Sequence, residues 1–174
     1  MRKSNRGFSL PESLIAMAIV SIGAALGLPA FQGALERQRT NAALNLVAAT
    51  FAHARNAAIT HGMPVSVCPS QGGGTCLDSW DWSPGWMVYR ERRQPPPQPG
   101  DILRSTNSPF HRSIRLVSSS GRRYVRFLPD GRSSGSNITV HVCGNGRLRG
   151  EVIVNNWGRI RMTRTPGTQA CPST

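Results

Sequence analysis

From Leu14 to Leu28 the chain carries no charge, and Ser21 is its only strongly polar side chain. A run that is apolar on every side predicts a helix with no aqueous face. After Pro29 the pattern changes: Phe31, Leu35, Leu44, Val47, Ala48, Phe51, Ala54 and Ala58 keep helical spacing, while Gln38, Arg39, Asn45 and Arg55 fall on the other side. The helix therefore continues as an amphipathic one, with an apolar stripe suited to lying on a sheet. His61-Gly62, followed by Pro64, supplies its stop.

Beyond the helix the period shortens to two. Strands are predicted at Val65–Cys68, Gly85–Arg90, Ile102–Arg104, Ser113–Val117, Tyr124–Leu128, Ile138–Cys143, Arg149–Val154 and Gly158–Met162. Pro129-Asp130-Gly131 and Asn145-Gly146 mark turns, the second a strong hairpin dipeptide. Arg92 to Gly100 holds Pro95-Pro96-Pro97 and Pro99, which lack the N–H a sheet needs, so it reads as a loop. The expected fold class is α+β: a long N-terminal helix packed on a mostly antiparallel head.

The apolar run has the roughly 20 residues needed to cross a bilayer, and Arg2, Lys3 and Arg6 ahead of it keep the N-terminus cytoplasmic. Glu12 stands out, since an acid at the centre of a bilayer costs about 2.5–3.5 kcal/mol and is kept mainly when something pairs with it. A cleaved secretory signal ending near Leu28-Pro29-Ala30 leaves Glu12 unexplained, and the helical pattern does not stop there. Gly7-Phe8-Ser9-Leu10-Pro11-Glu12 resembles the N-terminus of type IV pilins and type II secretion pseudopilins. The resemblance implies cleavage by a prepilin peptidase after Gly7, methylation of Phe8, and pairing of Glu12 with a neighbouring subunit's terminal amine. Pro29 matches the helix-kinking proline common in that family. The implied organisation is a leader at 1–7, a transmembrane and assembly helix at 8–35 in the inner membrane, and a periplasmic head at 36–174. Its partners would be other pilins in a filament.

Cys68, Cys76, Cys143 and Cys171 make an even number in a domain this topology exports, where disulfides persist. Three pairings are possible. The favoured one joins Cys68 to Cys76 around Gly72-Gly73-Gly74 and Cys143 to Cys171, pinning the tail to the sheet. His141-x-Cys143 places two metal-ligand types on one strand face, but without the Cys-x-x-Cys or His-x-x-x-His spacing of a zinc site. No metal or cofactor is expected. Nor is an active site: His53 and His61 lack an acid partner, and no serine has an evident His and Asp.

Charge alters the picture through its location. Residues 8–103 hold six arginines and six acids, whereas residues 104–174 hold twelve arginines against Asp130 and Glu151. Lys3 is the only lysine, so every other basic side chain is a guanidinium, the group whose planar fork suits phosphate. The Val65-Ser66-Val67-Cys68-Pro69 run straight after the helix, and Gly85-Trp86 after a cysteine-bounded loop, resemble the FimT and GspH branch of the pilin superfamily. Members are minor pilins or pseudopilins at or near the filament tip. FimT-type proteins serve type IV pili and can bind DNA in natural transformation, whereas GspH-type proteins have a structural role in type II secretion.

Gly158-Arg159-Ile160-Arg161 matches the Gly-Arg-x-Arg motif of DNA-binding FimT proteins. Strand alternation predicts Arg159 and Arg161 on one face, with Ile160 and Met162 turned toward a core. Arg164 follows, and Arg147 and Arg149 have the same alternation in the preceding hairpin arm. The expectation is a basic strip that engages about four phosphates of DNA without reading sequence, giving a log–log salt slope of roughly −3 to −4. The opposing reading is that these arginines merely solvate an exposed sheet face. Trp157 beside the motif is a candidate for stacking; Trp80, Trp82 and Trp86 are read as core or as loop pins.

Overall fold

The computed structural model describes residues 9–92, 97–107 and 110–173. Gly7, Phe8 and the leader at 1–7 lie outside them, as do Pro95 and Pro96. The chain opens with α1 (Leu10–His61). Strands β1 (Val65–Pro69), β2 (Gly85–Arg90), β3 (Ile102–Asn107), β4 (Ile114–Ser118), β5 (Val125–Phe127), β6 (Ile138–Gly144), β7 (Arg147–Val154) and β8 (Ile160–Arg164) follow. All eight predicted strands are present. The chain divides into two compact units, Met1–Gln38 and Arg39–Thr174.

In the first unit, α1 is apolar and exposed all round from Leu14 to Leu28. Leu14, Ile15, Ile19, Val20, Ile22 and Leu26 are each at least 60% exposed, and an 18-residue window reaches a mean hydropathy of 2.2. A surface of this kind needs lipid or neighbouring subunits to cover it. Glu12 lies in the first turn, where its carboxylate accepts from the Ser9 backbone N–H at 3.5 Å.

In the second unit, α1 supplies the predicted stripe. Leu44, Val47, Phe51, Ala54 and Ala58 are buried, joined by Ala43 and Ala57. The stripe packs into one core with two antiparallel sheets, ordered β3-β2-β1-β5 and β4-β6-β7-β8. Trp82 meets Phe51 edge-on at 5.9 Å, and both Trp82 and Trp86 are 1% exposed, so these two tryptophans are core. Asn145 (φ 50°) and Gly146 (φ 74°) form the two-residue turn between β6 and β7 that the sequence announces.

The structure joins Cys68 to Cys76 and Cys143 to Cys171. Cys143 is thereby spent as a metal ligand, and His141 Nδ1 sits 3.0 Å from Glu151 Oε1. Replacing Cys68 and Cys76 by serine opens a short loop, and the chain-entropy argument gives a loss of about 2.5 kcal/mol. Urea melts of the variant and the native chain measure it.

On the outer face of the first sheet, Ser66 Oγ donates to Glu91 Oε1 at 2.5 Å, and Arg126 Nε donates to Glu91 Oε2 at 2.6 Å. Tyr89 lies beside this network. Burial, and then the Glu91 charge, hold its phenol above the usual tyrosine value. The folded state thus prefers the neutral phenol. Its contribution to stability is fully present below about pH 10 and is lost as pH rises through the raised folded-state value. Phenolate absorbance should show a step displaced above the usual tyrosine value, and Tyr89→Phe should remove it.

Candidate nucleic-acid interface

The arginine motif straddles the hairpin between β7 and β8. Asn155 to Gly158 make the turn: Gly158 N–H donates to Asn155 O at 2.8 Å, and the Asn155 side chain accepts from Arg159 N–H at 2.8 Å. Gly158 has φ +71°, and a Cβ there would lie 2.0 Å from Gly131 O and 3.1 Å from Arg55 Nε. Arg55 Nε in turn donates to Gly131 O at 2.8 Å, and Ser133 N–H donates to Asn156 O at 3.0 Å. The glycine of the motif is therefore structural. It lets the hairpin seat on the Pro129–Gly131 turn, with the helix residue Arg55 beneath. Because Gly158 is in the turn, β8 begins at Ile160 and not at the glycine.

Register assigns the faces. Arg161 pairs with Ile153, between the fully buried Val152 and Val154, so Arg161 points away from the core together with Arg159, two residues or about 7 Å away. Both arginines are exposed, and among the described residues neither guanidinium has a hydrogen-bond or ion-pair partner. Ile160 packs on the core as predicted.

Three predicted members of the strip lie elsewhere. Arg164 pairs with Gly150, on the helix side of the sheet, and its Nε donates to Asn41 Oδ1 at 2.9 Å. Arg149 stands at a bulge, where Val142 pairs with Gly150 and Cys143 with Leu148, and its guanidinium packs on Gly167 (φ +77°) so closely that a Cβ would lie 2.2 Å from Nη1. Arg147 bridges to Ala170 and reaches Thr168 O at 3.4 Å. Both are engaged by the tail that the Cys143–Cys171 bond folds back. Glu151, opposite Thr163, also stands between them and Arg161. Met162, predicted to face a core, is 46% exposed, because β8 is the sheet's last strand.

The sequence reading missed Arg132. It joins Trp157, which is 73% exposed, around a groove of about 350 Å³ beside the hairpin tip. The Arg132 backbone N–H, followed by its guanidinium, holds the Asp130 carboxyl below the usual carboxylate range. Asp130, two residues before Arg132, pairs with its guanidinium at 2.6 Å. Among the described residues no cluster of three or more His, Cys, Asp or Glu side chains is arranged to hold a metal ion.

Residues 43–158 match the family described as type II transport protein GspH, and residues 2–28 match the prokaryotic N-terminal methylation motif. No curated protein matches the sequence. The fold is similar to the type IV minor pilin FimU of Pseudomonas aeruginosa, with a TM-score of 0.60 at 19% identity, covering 79% of this chain and 96% of that one. A second crystal form of FimU gives a TM-score of 0.56 at 18% identity, with 76% and 98% covered. The minor pseudopilin EpsH from the Type 2 Secretion System of Vibrio cholerae gives 0.49 at 11% identity, with 72% and 97% covered.

Proposed function

From the premise that the chain belongs to the GspH family, and so to the minor pilins and pseudopilins, we propose that it is a minor type IV pilin of the FimT kind whose head binds DNA. On this reading it has a binding role, with no chemistry of its own. The leader is removed after Gly7 and Phe8 is methylated. Residues 8–35 anchor the chain in the inner membrane and then pack in the filament, where Glu12 pairs with a neighbour's terminal amine. The head faces the periplasm before assembly and stands near the filament tip afterwards, aiding DNA uptake in natural transformation.

One observation carries the DNA reading: Arg159 and Arg161 project side by side from a rigid sheet with no carboxylate opposite them. Free guanidiniums at phosphate-like spacing neutralise a polyanion and release its counterions, which gives binding without sequence preference. Trp157 at the hairpin tip adds an exposed ring. The family's description favours a second reading, a tip-assembly pseudopilin of a type II secretion system that contacts protein only. A gel shift with the full chain in detergent micelles and duplex DNA at low salt separates the two. Retardation is expected; its absence leaves the secretion reading.

A further inference from the structure

A cavity of about 970 Å³ lies on the other sheet, between the Cys68–Cys76 loop and the segment before β5. Trp80, Tyr89 and Tyr124 line it, and Tyr124 is 47% exposed. Two arginines edge these rings. Arg123 stacks over Trp80 at 4.7 Å and is neutralised by an ion pair with Asp78. Arg122 lies 6.0 Å from the Tyr124 ring centre and is held differently: it donates to Ser136 O at 2.7 Å and Ser133 Oγ at 3.4 Å. Among the described residues no carboxylate pairs with it, and burial lowers its pKa, a sign that the cation has lost part of its water. Arg126, nearby on β5, is compensated by Glu91. The groove thus offers aromatic faces and one pinned, uncompensated cation.

We propose that this groove takes an unpaired stretch of nucleic acid, with a base stacked on Tyr124 and a phosphate on Arg122. A duplex keeps its base faces covered, whereas an unpaired strand presents them to aromatic platforms and its phosphates to the adjoining cation. A proline-rich peptide would use the rings but leave Arg122 without an anion. Tyr124 leads into β5 of the first sheet, whereas Arg159 and Arg161 belong to the β7–β8 hairpin of the second, so either assignment can fail alone.

Fluorescence anisotropy of the full chain in micelles provides the test, with a labelled oligothymidylate of about twelve nucleotides, within the ~4–16 that such grooves track. A duplex of equal length, a thymidine mononucleotide and a proline-rich peptide serve as comparisons. Tyr124→Ala should weaken the oligonucleotide about 10-fold, the worth of one lost stack. Tyr124→Trp should retain it, and duplex affinity should stay within about 2-fold in both. Arg122→Gln should weaken the oligonucleotide and flatten its salt dependence. Unchanged oligonucleotide affinity in Tyr124→Ala, equal losses in Tyr124→Ala and Tyr124→Trp, a mononucleotide that binds as tightly as the strand, or a groove that takes only the peptide would each overturn the proposal.

Discussion

Gly158→Val is expected to lower the stability of the head by about 4 kcal/mol and, on the proposed function, to weaken duplex binding, although no arginine is altered. The backbone at φ +71° costs a branched residue roughly 2 kcal/mol. The new Cβ must also displace Gly131 O, 2.0 Å away, and with it the bond from Arg55. Losses this large come from a short set of causes, of which a strained backbone set against a fixed carbonyl is one. In a thermal melt the midpoint should fall by about 10 °C. A midpoint within about 2 °C of native would mean that the hairpin does not need its seat on Gly131. Anisotropy below the melting range then reads the second effect: the turn that aims Arg159 shifts, and duplex affinity drops with it.

Arg159→Gln/Arg161→Gln is expected to do the reverse, leaving the fold intact and weakening duplex binding about 100-fold at low salt. Both side chains are exposed and, among the described residues, neither guanidinium has a hydrogen-bond or ion-pair partner, so stability should change by less than about 0.5 kcal/mol. Each charged contact with phosphate is worth about 1.5 kcal/mol, and two such losses multiply. Arg164→Gln, on the opposite face against Asn41, should cost little affinity. If Arg164→Gln matched the double variant, the side-by-side geometry would not be what DNA recognises.

Much of this was legible in the chain. Helix and strand periodicity gave α1 and all eight strands, most plainly where one face is buried, as in the second half of α1 and in β7. Asn145-Gly146 gave a hairpin because Asn and Gly tolerate the positive φ that its two-residue turn takes at both positions. The strip was legible only in part. Alternation put Arg159 and Arg161 together correctly, but applied further along the chain it could not register the bulge at Arg149 or the tail turning back over Arg147. Arg164 was grouped with them by closeness in sequence, although three residues from Arg161 is an odd step and lands on the other face. The seat of Gly158 on Gly131 and Arg55 joins three distant segments and leaves no local mark in any of them. The groove on the first sheet is of the same kind, assembled from loops whose residues read singly as core or solvent.

Four phosphate contacts would give a salt slope of roughly −3 to −4, whereas two free guanidiniums give about −2. The direct test is the salt dependence of duplex affinity for the full chain in micelles, native against Arg159→Gln/Arg161→Gln. A native slope near −2, nearly abolished in the double variant, is the predicted result; equal slopes and equal affinities in the two proteins would contradict it.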